Sequence, residues 1–125
     1  MEKLNFDTGV KSFRLPGGGV LRFNPADPNV YSRLYQAEEK LVEIQNSIPQ
    51  GESGILQLAT ADTELKKLFN WLLGGDNDVD KALGGVSLLA VCADGKTVAA
   101  NLLGALEAVL EEGAKQLVDS KAAAL

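Results

Sequence analysis

The chain contains no histidine, one cysteine, one tryptophan and one methionine, and only 6% of its residues are aromatic. Without histidine there is no imidazole to activate a serine or cysteine nucleophile and none to bind a metal. The single thiol, Cys92, cannot close an intrachain disulfide, so the composition reads as that of a reducing compartment. Cys92 lies in an apolar run and is expected to be a small buried hydrophobe rather than a reactive group. Basic charge is also scarce: 12 Lys and Arg face 17 Asp and Glu, for a net charge of −5. The first 50 residues are balanced, so all of the acidic excess lies in the remaining 75. An acidic surface repels phosphate backbones, and no nucleic-acid partner is expected. No apolar run approaches the ~20 residues of a membrane span, and no basic amphipathic stretch suggests a membrane partner. The opening Met1-Glu2-Lys3-Leu4-Asn5-Phe6-Asp7 lacks the apolar core of a signal peptide, which points to a cytoplasmic protein. With so few aromatics, Leu, Val, Ile and Ala must fill the core.

The 125 residues suit one domain, and 46% of them are hydrophobic, enough for one real core. Two strands around a turn are expected between Leu4 and Phe23. Val10, Phe13 and Leu15 precede Pro16-Gly17-Gly18-Gly19, and Val20, Leu21 and Phe23 follow it. At Asp27-Pro28 the pattern changes. Asp27 is a good N-cap and Pro28 fits the first helical position. Val30, Leu34, Ala37, Leu41, Ile44 and Ile48 then recur as a single apolar stripe, which predicts a helix to about Ser47. Pro49-Gln50-Gly51-Glu52-Ser53-Gly54 reads as a loop. A second helix is expected over about Ile55 to Leu73, with Asp62 as an alternative start. Its apolar face is Leu65, Leu68, Phe69 and Leu72, and Gly74-Gly75 ends it. Asp78 to Leu83 predicts one or two helical turns. Val86 to Val91 fits either a strand or a buried helical turn. A last helix is expected from about Val98 to Asp119, with Leu102, Leu106, Val109, Leu110 and Leu117 inward and a frayed tail at Ala122 to Leu125. The fold class is therefore α+β: an N-terminal antiparallel hairpin over residues 1–24, then a mainly helical body of three principal helices over residues 27–125.

Several motifs suggest chemistry that their details oppose. The glycines at 17–19 lack the spacing of a dinucleotide fingerprint and the helix that must follow. Ala90-Val91-Cys92-Ala93-Asp94-Gly95-Lys96-Thr97 approaches a phosphate loop, with Ala90 in place of the first glycine. Asp94 would bring the wrong charge to phosphate, and the remaining residues leave no room for a parallel sheet. A turn at Asp94-Gly95 and a helix cap at Thr97 are expected instead. Asp76-Asn77-Asp78-Val79-Asp80 resembles the start of a calcium loop, but Lys81 and Ser87 occupy the places of the required Gly and Glu. Glu38, Glu39 and Glu43 lie off the apolar stripe and are read as solvent-facing. No catalytic residue, metal ligand or cofactor emerges. Trp71 stands awkwardly beside the Leu65–Leu68–Leu72 face, as core or as part of a partner-binding patch.

Two stretches together resemble the tail assembly chaperones of long-tailed bacteriophages and prophages of Gram-positive bacteria. The first is Phe6-Asp7-Thr8-Gly9-Val10-Lys11-Ser12-Phe13, a short turn, then Val20-Leu21-Arg22-Phe23-Asn24-Pro25-Ala26-Asp27-Pro28-Asn29. A strand pair running into a Phe-Asn-Pro-x-Asp helix start is typical of that family. The second is Asp80-Lys81-Ala82-Leu83-Gly84-Gly85, followed by Asp94-Gly95 and Asn101-Leu102-Leu103. Leu83 stands where such proteins often carry Phe. The order of these segments, rather than any one of them, carries the resemblance.

The resemblance implies a non-catalytic interaction protein of the bacterial host cytoplasm. Such chaperones bind the long tape-measure protein while tail-tube subunits assemble around it, and they are absent from the finished virion. The tape-measure protein, with the tail-tube protein beside it, is the expected partner. Self-association through the same surface is expected when the client is absent. The alternative is a structural tail or head-completion protein. For the client contact, the candidate residues are Trp71, Phe69 and the pair Tyr31 and Tyr35, one helical turn apart.

Overall fold

The computed structural model describes residues 1–48 and 54–122; the loop expected at residues 49–53 and the tail at 123–125 lie outside the described residues. The architecture is α+β. An antiparallel hairpin, β1 (Lys11–Arg14) and β2 (Val20–Phe23), is followed by α1 (Pro28–Ser47), α2 (Ile55–Leu73), a short α3 (Val79–Ala82) and α4 (Val98–Ala122).

The hairpin register pairs Lys11 with Phe23, Ser12 with Arg22, Phe13 with Leu21 and Arg14 with Val20. Alternation places Leu21 and Phe23 in the core, and Phe13 stacks on Phe23 with ring centroids 4.8 Å apart. The first strand starts later than Leu4. Asp7 Oδ1 accepts the Gly9 N–H at 2.8 Å, and Gly9 takes φ +79°, a conformation that breaks an extended run. Residues 1–10 therefore precede the hairpin as an arm without a ladder.

The helix ends follow local chemistry. Asp27 accepts the Asn29 N–H at 2.9 Å, and Pro28 occupies the first turn of α1. Gly74 closes α2 with its N–H on the Asn70 carbonyl. Asp78 caps α3, and Thr97 Oγ1 accepts the Ala100 N–H in the first turn of α4. α2 begins at Ile55, with Gly54 as its cap, so Asp62 lies inside the helix rather than at its start.

The core joins all the elements. Leu21 and Phe23 meet Val30 and Ala37 of α1, Leu65, Phe69, Leu72 and Leu73 of α2, Val79 and Ala82 of α3, Leu88, and Leu102, Leu106 and Leu110 of α4. Gly113 allows α4 to approach the entry of α1, since a Cβ there would sit 1.8 Å from the Pro25 carbonyl oxygen. Val86 to Val91 forms neither a strand nor a helix. It runs through turns to a single bridge between Val91 and Thr97. Leu88 is buried while Val86 and Val91 are exposed.

Candidate interaction surface

The segments that suggested phosphate and calcium binding are occupied by internal bonds. At Gly95-Lys96-Thr97 the Lys96 N–H goes to Asp94 Oδ1 at 2.9 Å and the Gly95 N–H to the Cys92 carbonyl at 2.9 Å. These are the amides a phosphate loop would need free. The segment is a turn followed by a cap. Cys92 is half-buried rather than buried, because the turn carries it out of the apolar run. In the acidic loop, Asn77 accepts the Arg22 N–H at 2.7 Å and donates to the Arg22 carbonyl at 2.6 Å and to Gly74 at 2.7 Å. Its carboxamide thus completes the outer edge of β2 at Arg22. Among the described residues no group of three or more His, Cys, Asp or Glu is placed to hold a metal ion. Glu38, Glu39 and Glu43 are exposed, and Glu43 pairs with Lys40 at 3.6 Å.

A charge network centred on the buried Lys66 joins α2 to the segments that follow it, with Asp62 largely buried and Asp80 exposed, and the apolar pattern gives no sign of it. Lys66 is 7% exposed, with its ammonium 2.9 Å from Asp62 and 2.5 Å from Asp80. Burial pushes the Lys66 ammonium down. The hydrogen bonds and charges of Asp80 and Asp62 outweigh it, leaving the group above the ordinary lysine value. Asp62 also accepts the Leu88 N–H at 2.7 Å. One lysine and two carboxylates therefore fix α3 and the apolar segment against α2. The spacing Asp62–Lys66 was a signal in the sequence, since residues four apart face each other on a helix.

The four aromatic candidates divide. Phe69 is 1% exposed, within the core, and leaves no side-chain surface for a partner. Tyr31 is partly buried against α4, where its hydroxyl meets the carbonyls of Leu110 and Pro25. Burial raises the Tyr31 hydroxyl above its ordinary value, against a smaller lowering from the Ala114 backbone. Tyr35 is 77% exposed and shares its face of α1 with exposed Val42, two turns on. Trp71 is 45% exposed.

Trp71 opens onto a groove between α1 and α2. One part of it, about 380 Å³, is lined by Gln36, Glu39, Lys40, Glu43, Leu68 and Trp71. The next part, about 720 Å³, shares Lys40, Glu43 and Leu68 and extends to Ile44, Ser47, Glu64 and Lys67. The apolar groups Ile44, Leu68 and Trp71 thus line the two parts, with Leu68 common to both, among charges of both signs. Tyr35 is not among the residues that line it. A third cavity, about 780 Å³, lies between the hairpin and the 74–78 loop and includes Arg22, Arg33 and Lys81 with Asp27, Asp76 and Asp78. There Asp27 and Asp78 already cap helices, and Arg33 Nε donates to the Leu72 carbonyl at 2.8 Å.

Among the described residues no helix is long and apolar enough to cross a membrane. No protein-family model, no curated protein and no solved structure matches the chain.

Proposed function

We propose that this chain is a non-catalytic tail assembly chaperone that works in the cytoplasm of a bacterial host, where it binds apolar helical segments of a tape-measure protein. The observation that carries the reading is the open α1–α2 groove, with Ile44, Leu68 and Trp71 in its lining. An amphipathic helix laid in such a groove buries its apolar face against these three side chains. Lys40, Glu43, Glu64 and Lys67 line the same groove with both signs of charge, so recognition rests on apolar burial rather than on one field. A long tape-measure chain exposes hydrophobic faces until the tube encloses it, and a removable cover for them is what the groove offers. Co-expression with the tape-measure protein of the same phage or prophage is the test. The client becomes soluble and co-purifies, and the complex survives moderate salt. A client that stays insoluble with and without this chain defeats the reading, and a complex that dissociates at moderate salt defeats the apolar mechanism.

A further inference from the structure

The two edges of the hairpin are treated differently. On β2 the Arg22 N–H and carbonyl are both bonded by Asn77. Antiparallel ladders alternate, so Ser12, opposite Arg22, is a pair without bonds across it, and so is Arg14, opposite Val20. The amides and carbonyls of Ser12 and Arg14 therefore point away from β2, to an edge that no described residue covers. Just ahead of this edge runs the arm of residues 1–10, with Leu4 88% and Phe6 76% exposed. The backbone of Leu4 and of Phe6 has no hydrogen-bond partner among the described residues.

We infer that the arm of a second copy adds to the free edge of β1, reciprocally, to make a twofold dimer. Pairing Leu4 with Arg14 and Phe6 with Ser12 of the other copy uses the outward groups of both segments. The same register repeats itself about an axis near Gly9, as an isologous contact requires. Pairwise charge favours this occupant. The hairpin contributes Lys11, Arg14 and Arg22 and no acid, while the arm carries the acids Glu2 and Asp7 and one base, Lys3, which this register sets opposite the uncharged Leu15. In this register Asp7 lies opposite Lys11 of the other copy, and Glu2 is the diagonal neighbour of Arg14 on the same face. Leu4 and Phe6 then lie on the outer face of the sheet, the face that also carries the exposed side chain of Val20 one strand further in. The bend at Asp7–Gly9, held by Asn24 Nδ2 on the Thr8 carbonyl at 3.0 Å, divides the ladder into two blocks around the axis. This contact is separate from the α1–α2 groove.

Sedimentation equilibrium of the full chain tests it. A concentration-dependent dimer is expected, weakened about tenfold or more by Phe6→Asp and by either Glu2→Arg or Arg14→Glu, and restored when the two charge reversals are combined. Amide exchange at high protein concentration protects Leu4, Phe6, Ser12 and Arg14. A chain that stays monomeric up to millimolar concentration overturns the proposal. So does a dimer indifferent to Phe6→Asp and to both reversals.

Discussion

On α2, Phe69 enters the core with Leu65 and Leu72, whereas Trp71, two residues on, opens onto the groove with Leu68. On α1, Tyr31 is turned against α4 while Tyr35, one turn later, faces solvent beside Val42. α4 repeats the division without aromatics: Gly113 touches the Pro25 carbonyl, and Gly104 has open space around it. The inward sides of the helices are determined by volume and by paired polar groups, so each residue there has one acceptable neighbourhood. The outward sides are determined by nothing within the chain. An aromatic group on such a side is free for a partner of the kind proposed above, and the two sides should respond to substitution by amounts that differ in kind.

The largest difference is expected at Phe69. Phe69→Ala empties a fully buried site between α2 and its neighbours, with an expected loss of about 3–5 kcal/mol. Urea denaturation measures it as a lower midpoint with an unchanged slope. A loss under about 1 kcal/mol would place Phe69 on the outward side and remove the distinction drawn on α2.

Next is the charge network. Asp62→Ala leaves the Leu88 N–H without its acceptor and takes one of two carboxylates from the buried Lys66. A loss of about 2–3 kcal/mol is expected, against about 0.5 kcal/mol or less for Glu112→Ala, which removes only the exposed pair with Lys115. The network also has a pH signature. Lys66 is raised in the folded chain, so its contribution is complete below the ordinary lysine value and is lost as pH rises through the raised one. Tyr31, raised by burial, acts in the same sense from its own ordinary value upward. Stability therefore falls on the alkaline side. In a Lys66→Met variant this alkaline fall is shallower, as thermal melts from about pH 10 to about pH 12 (from the ordinary tyrosine and lysine values upward) would show.

A matched pair on α4 gives a smaller effect of opposite sign at its two positions. Gly113→Ala places a methyl group into the Pro25 carbonyl, and a loss of about 1–3 kcal/mol is expected from the forced shift of the backbone. Gly104→Ala meets nothing within 4 Å and gains helix propensity, about 0.5–1 kcal/mol. Differential scanning calorimetry of the two variants checks both signs. Stabilisation by both would show that α4 does not press on the α1 entry.

Much of this division was legible before any coordinates. Caps and stops at Asp27-Pro28, Gly74, Asp78 and Thr97 act within one helical turn, so their partners are adjacent in the chain. The stripes of α1, α2 and α4 placed Phe69 beside Leu65 and Leu72, and the awkward spacing of Trp71 marked it as different. What was not legible depends on distant partners. Asn77 bonds a strand residue 55 positions away, and Lys66 meets Asp80 across the end of its helix. The fate of Val86 to Val91 follows from the same cause. Asp62 takes the Leu88 N–H that a strand ladder would have used, so the run folds around one buried leucine. Likewise Tyr31 and Tyr35 share a pattern but not a neighbour, since only α4 distinguishes them.

The smallest effect on stability is expected where the proposed function is most exposed. Trp71→Ala and Tyr35→Ser remove side chains whose surroundings within the chain are partial, and each should change stability by no more than about 0.5–1 kcal/mol. Their consequences for binding should separate. Trp71 lines the groove with Leu68 and Tyr35 does not. A well-packed aromatic anchor contributes about 2 kcal/mol or more, equivalent to roughly a 30-fold weaker complex on removal. Trp71→Ala should therefore release the tape-measure segment under conditions in which the wild-type chain retains it, while Tyr35→Ser retains it. Titration of a fluorescent client helix into both variants reads the two outcomes directly. Equal loss at both positions would move the client surface from the α1–α2 groove onto the solvent face of α1. Loss at neither would leave the groove without a helical client, and Trp71 as an aromatic residue exposed for no reason found in this fold.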